Sequence, residues 1–148
     1  MTRKLHPVAG GVALALILAF WTSTVAAELF GDATVVARVK TLILWGMVVL
    51  VPAMATVGAT GFRMGARATQ PLIVAKRRRM PIIALNGLLV LLPSAVLLQV
   101  RAANGDFGAV FWAVQALELA AGALNITLMS LSLRDGLRLA ARRGRTVA

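Results

Sequence analysis

Four runs of the chain, 8–27, 39–60, 81–100 and 108–133, each hold twenty or more residues, and Lys40 and Glu118 are their only charged members. About twenty apolar residues in a helix cross a hydrocarbon core of about 30 Å. A bilayer admits only helices or closed barrels, because it offers no partners to open backbone groups. The runs are continuous rather than alternating, so they read as helices. With polar flanks included, the expected helices are 8–29, 33–60, 81–100 and 107–133, in a single domain spanning 1–148 with a basic tail at 134–148. The expected fold is an all-α, polytopic four-helix membrane bundle.

Composition supports this and removes several chemistries. The chain is 59% hydrophobic and 14% charged, with a mean hydropathy of +0.85, against roughly 25% charged in soluble domains. It has no cysteine, which excludes disulfides, thiolate nucleophiles, Fe–S clusters and cysteine zinc sites. No catalytic triad, H-E-x-x-H motif or paired-carboxylate site stands in the sequence. Gly58-Ala-Thr-Gly61 lacks both the preceding strand and the Lys-Ser/Thr of a phosphate loop. No enzyme activity, cofactor or metal is expected.

The net charge of +11 reports topology. An even number of spans puts both termini and the middle loop on one side. That side carries thirteen basic residues, and the other carries Arg38, Lys40 and Arg101. The positive-inside rule then makes the termini cytoplasmic. Trp21, Trp45 and Trp112, with Phe20, Phe30, Phe107 and Phe111, fall towards the opposite helix ends and read as an interfacial aromatic belt. Residues 1–27 also resemble a cleavable secretory signal, with a basic start and small residues at 24–27. Their apolar stretch exceeds the usual 7–15 residues of a signal.

The halves of the chain look alike at an offset of 74–75 residues. His6-Pro7 answers Met80-Pro81, and Gly31-Asp32 answers Gly105-Asp106. Val39–Leu44 answers Val114–Leu119, and Gly61–Arg67 matches Gly136–Arg142 at four positions of seven. This predicts a 2+2 parallel repeat about an axis along the membrane normal. The prolines suit first helical turns, and Asp32 and Asp106 suit N-caps at positive dipole ends.

Polar residues at membrane depth are functional candidates. At 100° per residue, Gln115, Glu118, Gly122, Asn125 and Met129 share one face of the fourth span. Asn86 in the third span shares a face with Pro93. Lys40 heads a Met47/Met54/Gly61 line in the second. The repeat equates Lys40 with Gln115, one turn outward of Glu118, so an internal Lys40–Glu118 ion pair or water-linked contact is expected. The competing readings are hydrogen bonding of Glu118 to Gln115, Asn125 or Asn86 as interhelical glue, and Lys40 extending outward to headgroups. Pro52 and Pro93, near mid-membrane, can kink their helices. Gly58–Gly61 and Ala120–Ala123 let helices approach closely.

The basic stretches Lys76, Arg77, Arg78, Arg79 and Arg138, Arg142, Arg143 suit contact with anionic lipid headgroups. The tail from 131 reads as a short interfacial helix, and 71–75 as a segment dipping into the interface. No stacking aromatics accompany these charges, so nucleic acid is not an expected partner. A homo-oligomer or a larger membrane complex is compatible with the sequence.

The stretches WTSTVAAELF, VKTLILWG, KRRRMPIIALNGLLVLLP, VQALELAAG and SLRDGLRL together resemble small four-span bacterial inner-membrane proteins without an assigned activity. That resemblance implies a multi-pass inner-membrane location and carries no catalytic motif. Small multidrug transporters keep their membrane Glu on the first helix, where this chain has none. Fluoride channels pair oppositely oriented subunits, which the strong charge bias here opposes. Two functional expectations follow: a non-enzymatic accessory or assembly subunit, or a small ion- or proton-coupled transporter using Glu118. A third, a haem-bearing electron carrier pairing His6 with Met64 or Met80, requires a Soret band. The expected absorption spectrum of the purified protein has none.

Overall fold

The computed structural model describes the backbone of residues 2–65 and 70–145; the side chains of 2–4, 62, 64, 65 and 142–145 are not described. The fold is an all-α bundle of four membrane-length helical rods. Helix α1 is Thr2–Phe30, α2 is Ala33–Gly65, α3 is Pro71–Asn86, α4 is Leu92–Ala103 and α5 is Ala109–Arg145. A π-helical turn, Gly87–Leu91, joins α3 and α4 into one continuous third rod. The two short connections define a hairpin end, and the opposite end carries both termini.

Local chemistry explains the turns. Asp32 caps α2 by accepting the Val35 N–H at 2.9 Å. Asp106 accepts the Gly108 N–H at 3.1 Å and pairs with Arg101. Gly105 sits at φ +67°, a left-handed conformation that glycine adopts without a Cβ penalty. The cap expected of Asp32 is therefore present, whereas Asp106 holds the turn ahead of α5, whose first residue is Ala109, and does not cap the helix itself.

Several helix boundaries differ from the sequence expectation. Pro7 and Pro81 lie inside helices. Pro71 instead opens α3 at its first turn, where its missing N–H costs nothing. Lys76–Arg79 are thus helical rather than part of a loop. The tail does not form a separate surface helix either: α5 runs unbroken through 37 residues, about 55 Å at 1.5 Å per residue.

Pro52 leaves α2 continuous. Near Pro93 the distortion takes another form. The Leu92 N–H reaches back to the Gly87 carbonyl, five residues away, immediately before the proline that has no N–H to give.

Each rod packs on two neighbours, in the cyclic order α1, α2, third rod, α5. Helix α2 packs against α3 and α4 but not against the π turn between them, and the backbones of α2 and α5 lie diagonally apart. Two apolar cores result. One lies near the hairpin end, with Ala27, Val36, Leu98, Ala102 and Phe111 buried. The other lies nearer the termini, with Ala13, Ile17, Leu50, Ile83 and Met129 buried.

The aromatic belt is smaller than expected. Trp45 and Trp112 are exposed, but Phe111 is fully buried. Trp21 turns inward and donates from Nε1 to the Leu119 carbonyl at 3.0 Å. The small residues serve unequally. Gly122 makes room for the Trp21 indole, where an added Cβ would stand 2.9 Å from the ring, whereas an added Cβ at Gly58 would meet nothing within 4 Å.

Opposite responses to one change follow. Gly58→Ala is expected to stabilise the protein by about 0.4–1 kcal/mol. Gly122→Ala is expected to cost about 1–3 kcal/mol through overpacking. Thermal unfolding in detergent checks the pair; equal shifts would contradict this packing.

Candidate functional site

The buried face of α5 organises the polar interior. Helical spacing places Gln115, Glu118, Gly122, Asn125 and Met129 along one stripe, and all but half-buried Glu118 are buried in the bundle. Four layers of polar contacts branch from it or lie beside it.

The first layer lies between the two apolar cores. Lys40 Nζ donates to Glu118 Oε2 at 2.8 Å, so the internal ion pair expected from the repeat is formed. It crosses the bundle between α2 and α5, whose backbones do not touch. Lys40 also faces Glu28 Oε1 of α1, at 3.9 Å. Side-chain exposure is 1% for Lys40, 11% for Glu28 and 12% for Glu118. Two carboxylates therefore share one ammonium. Gln115 stands one turn outward of Glu118 and is 1% exposed. Both its amide atoms, and Glu28 Oε1, are buried without a hydrogen-bond partner. Such orphaned groups are rare, and a cluster of them calls for a water, an ion or a ligand.

Glu28 stands just beyond the apolar run 8–27 and is not among the polar residues expected at membrane depth. It enters the site because the α1–α2 connection is only Gly31-Asp32, which sets the last turn of α1 beside the second turn of α2. The spacing of Glu28 from that tight turn was the available signal. Glu118 takes none of the alternative partners: Gln115 has none at all, and the two asparagines bond elsewhere.

The second layer is that asparagine pair. Asn86 Nδ2 donates to Asn125 Oδ1 and to the Ala121 carbonyl, both at 2.9 Å. Asn125 Nδ2 points to the Ile83 carbonyl at 3.4 Å. These contacts clamp α3 to α5 immediately before the π turn.

From the ion pair past the asparagine pair towards the termini runs a cavity of about 340 Å³. Its walls are apolar apart from Glu118, Asn125 and Thr24, with Met47, Met54 and Trp21 prominent among them. The Met47/Met54 line of α2 is thus its lining, while Gly61 lies below it. The cavity fills the gap that α2 leaves opposite the π turn, where Val51 and Leu88 are both lining residues and lipid-facing ones.

Nearer the termini, His6 Nδ1 and Thr60 Oγ1 are 2.9 Å apart. The Thr60 hydroxyl lies 2.5 Å from the Thr56 carbonyl; donating there, it accepts from the imidazole. His6 and Met80, repeat counterparts in the sequence, both crowd Gly61. Met64 lies outside the described side chains. No cluster of three or more metal-ligating side chains exists among the described residues.

The last layer changes the lipid-contact assignment. Arg79 Nη1 donates to Asp135 Oδ2 at 2.7 Å, and Asp135 is buried. Lys76 approaches the same turn of α5, near Gly136. Arg77 also has an interaction partner. Arg78 and Arg138 are exposed, and Arg142 and Arg143 lie outside the described side chains. Arg79 is therefore an interhelical clamp, because Asp135 occupies its guanidinium.

The interior pairs differ in what they cost to break. Lys40→Met leaves two buried carboxylates without their cation and is expected to destabilise by about 3–5 kcal/mol. Glu118→Gln is expected to cost less, because Glu28 remains for Lys40. Asn125→Ala removes hydrogen bonds of the kind worth about 0.6–2 kcal/mol in bilayers. Unfolding titrations with a denaturing detergent should rank them in that order.

The chain matches no protein-family model, no curated protein and no solved structure.

Proposed function

We propose that this chain is a non-enzymatic accessory or assembly subunit of a bacterial inner membrane, with both termini cytoplasmic. The observation that carries the reading is where the interior polarity goes. Lys40–Glu118, Asn86–Asn125 and Arg79–Asp135 each join side chains of different helices, an investment in one fixed arrangement rather than in a reaction. The Thr60 hydroxyl beside His6 is taken up by the Thr56 carbonyl and the imidazole, which reads as another interhelical contact. The outer surface is broadly apolar, with Leu42, Trp45, Val48 and Leu89 each more than 60% exposed, which suits lipid or neighbouring membrane helices. The basic end, with exposed Arg78 and Arg138, suits anionic headgroups.

Mild-detergent pull-down at native expression tests the reading. The expected result is recovery with a second copy or another membrane protein at fixed stoichiometry. Recovery only as a bare monomer overturns it. Orientation has its own test, made simple by the absence of cysteine. Asn104→Cys should react with a membrane-impermeant maleimide from outside intact spheroplasts, and Gln70→Cys should not.

A second reading, a small ion- or proton-coupled transporter, draws on the orphaned Gln115 and Glu28 atoms beside the ion pair. It requires flux in proteoliposomes that Glu118→Gln abolishes. Flux indifferent to that substitution rejects it.

A further inference from the structure

The mid-membrane cavity has three properties that together define a ligand. It holds about 340 Å³, within the roughly 300–1,000 Å³ of small-molecule sites. Its lining is almost wholly hydrocarbon and thioether, so it would not hold water well. Left empty, it forfeits dispersion contacts on every wall. It also faces the bilayer rather than the aqueous phases, through the gap between α2 and the π turn. A molecule dissolved in the membrane can therefore enter sideways.

The wall nearest the hairpin end supplies the selectivity. Glu118 lines it, and behind Glu118 stands Lys40, bonded at 2.8 Å, with Glu28 at 3.9 Å from the same ammonium. With both carboxylates ionised, two of them against one ammonium leave a formal charge of −1 in a layer that the Phe111–Leu98 core separates from the hairpin end. Among the described residues no other charged side chain lies in this layer: α4 contributes Arg101, which is occupied by Asp106, and Arg38 is exposed. Uncompensated charge at this depth is costly. An added positive charge cancels it.

We propose that the cavity binds a lipophilic organic cation, with its apolar body against Met47, Met54 and Trp21 and its ammonium group on Glu118. The orphaned oxygen of Glu28 supplies the exchange. When the ligand's cation takes Glu118, Lys40 Nζ shifts the short distance to Glu28 Oε1, which has no donor at present. Lys40 stays paired throughout, and all four charges then balance. This accounts for the two-to-one ratio of acids to lysine, the vacant Glu28 oxygen and the position of Glu118 on the cavity wall. It is independent of whether the chain is an accessory subunit.

The test uses the full chain in nanodiscs, with Trp45→Phe and Trp112→Phe so that Trp21 reports alone. The probes are an alkyl-trimethylammonium and its neutral tert-butyl analogue of the same shape. Saturable quenching or enhancement is expected for the cation, with at least about ten-fold weaker binding of the neutral analogue. Glu118→Gln should abolish that preference. Glu28→Gln should weaken the cation alone, because Lys40 loses its alternative acceptor. Gly58→Phe, which fills open space on the lining, should exclude both probes. Equal affinity for the two probes overturns the proposal and leaves the cavity as a slot for a lipid acyl chain. So does cation binding indifferent to Glu118→Gln. If Glu118→Gln does not fold, the neutral analogue and Glu28→Gln decide alone: a cation preference lost on Glu28→Gln upholds the proposal, and one unchanged by it overturns it.

Discussion

A lysine buried in hydrocarbon must be neutralised on the spot, and the interior of this bundle is arranged around that requirement. Lys40 is almost completely enclosed, and its partner Glu118 comes from the helix diagonally opposite. Low dielectric strengthens the attraction and raises the cost of separation. The pair therefore fixes the distance and axial register of α2 against α5, which no backbone contact does. Glu28 then has no choice of place: the two-residue connection from α1 to α2 delivers it to the same ammonium.

Packing around that layer is uneven. Towards the hairpin end, Phe111, Leu98 and Ala102 close the bundle with almost no exposure. Towards the termini the helices spread around the cavity, and the π turn widens the third rod where α2 would otherwise meet it. The Asn86–Asn125 clamp and Pro93 bracket that turn. One holds α3 to α5, and the other removes the N–H that an uninterrupted α-helix would need. π-helical turns often mark functional positions in helices, and this one lines the same cavity as Glu118.

One tertiary contact was legible in the internal repeat. Lys40 and Gln115 occupy corresponding places in the two halves, and both are buried, so the level of Lys40 against Glu118 was readable. Asp32 was also readable as a cap; Asp106, in the corresponding place, is instead taken up by Gly108 ahead of α5 and by Arg101. Glu28 was not readable, because its burial depends on how tightly the first hairpin closes. Trp21 looked like an interfacial anchor, but Gly122, 101 positions away in the chain, opens a slot that draws the indole inward. Arg79 looked like one of four equivalent basic residues. Only the placement of Asp135 on α5 singles it out.

The sequence alone determined the four spans, the all-α class, the charge asymmetry between the ends and the polar face of α5. Each follows from local composition and from the two solvents that a membrane chain must satisfy. The tertiary structure decided which polar groups meet, which are left without partners, and that a cavity opens opposite the π turn. Those outcomes depend on distances between helices, set jointly by Gly122 against Trp21, Asn125 against Asn86 and Lys40 against Glu118. No stretch of sequence contains such a distance, because each is the result of all the packings at once.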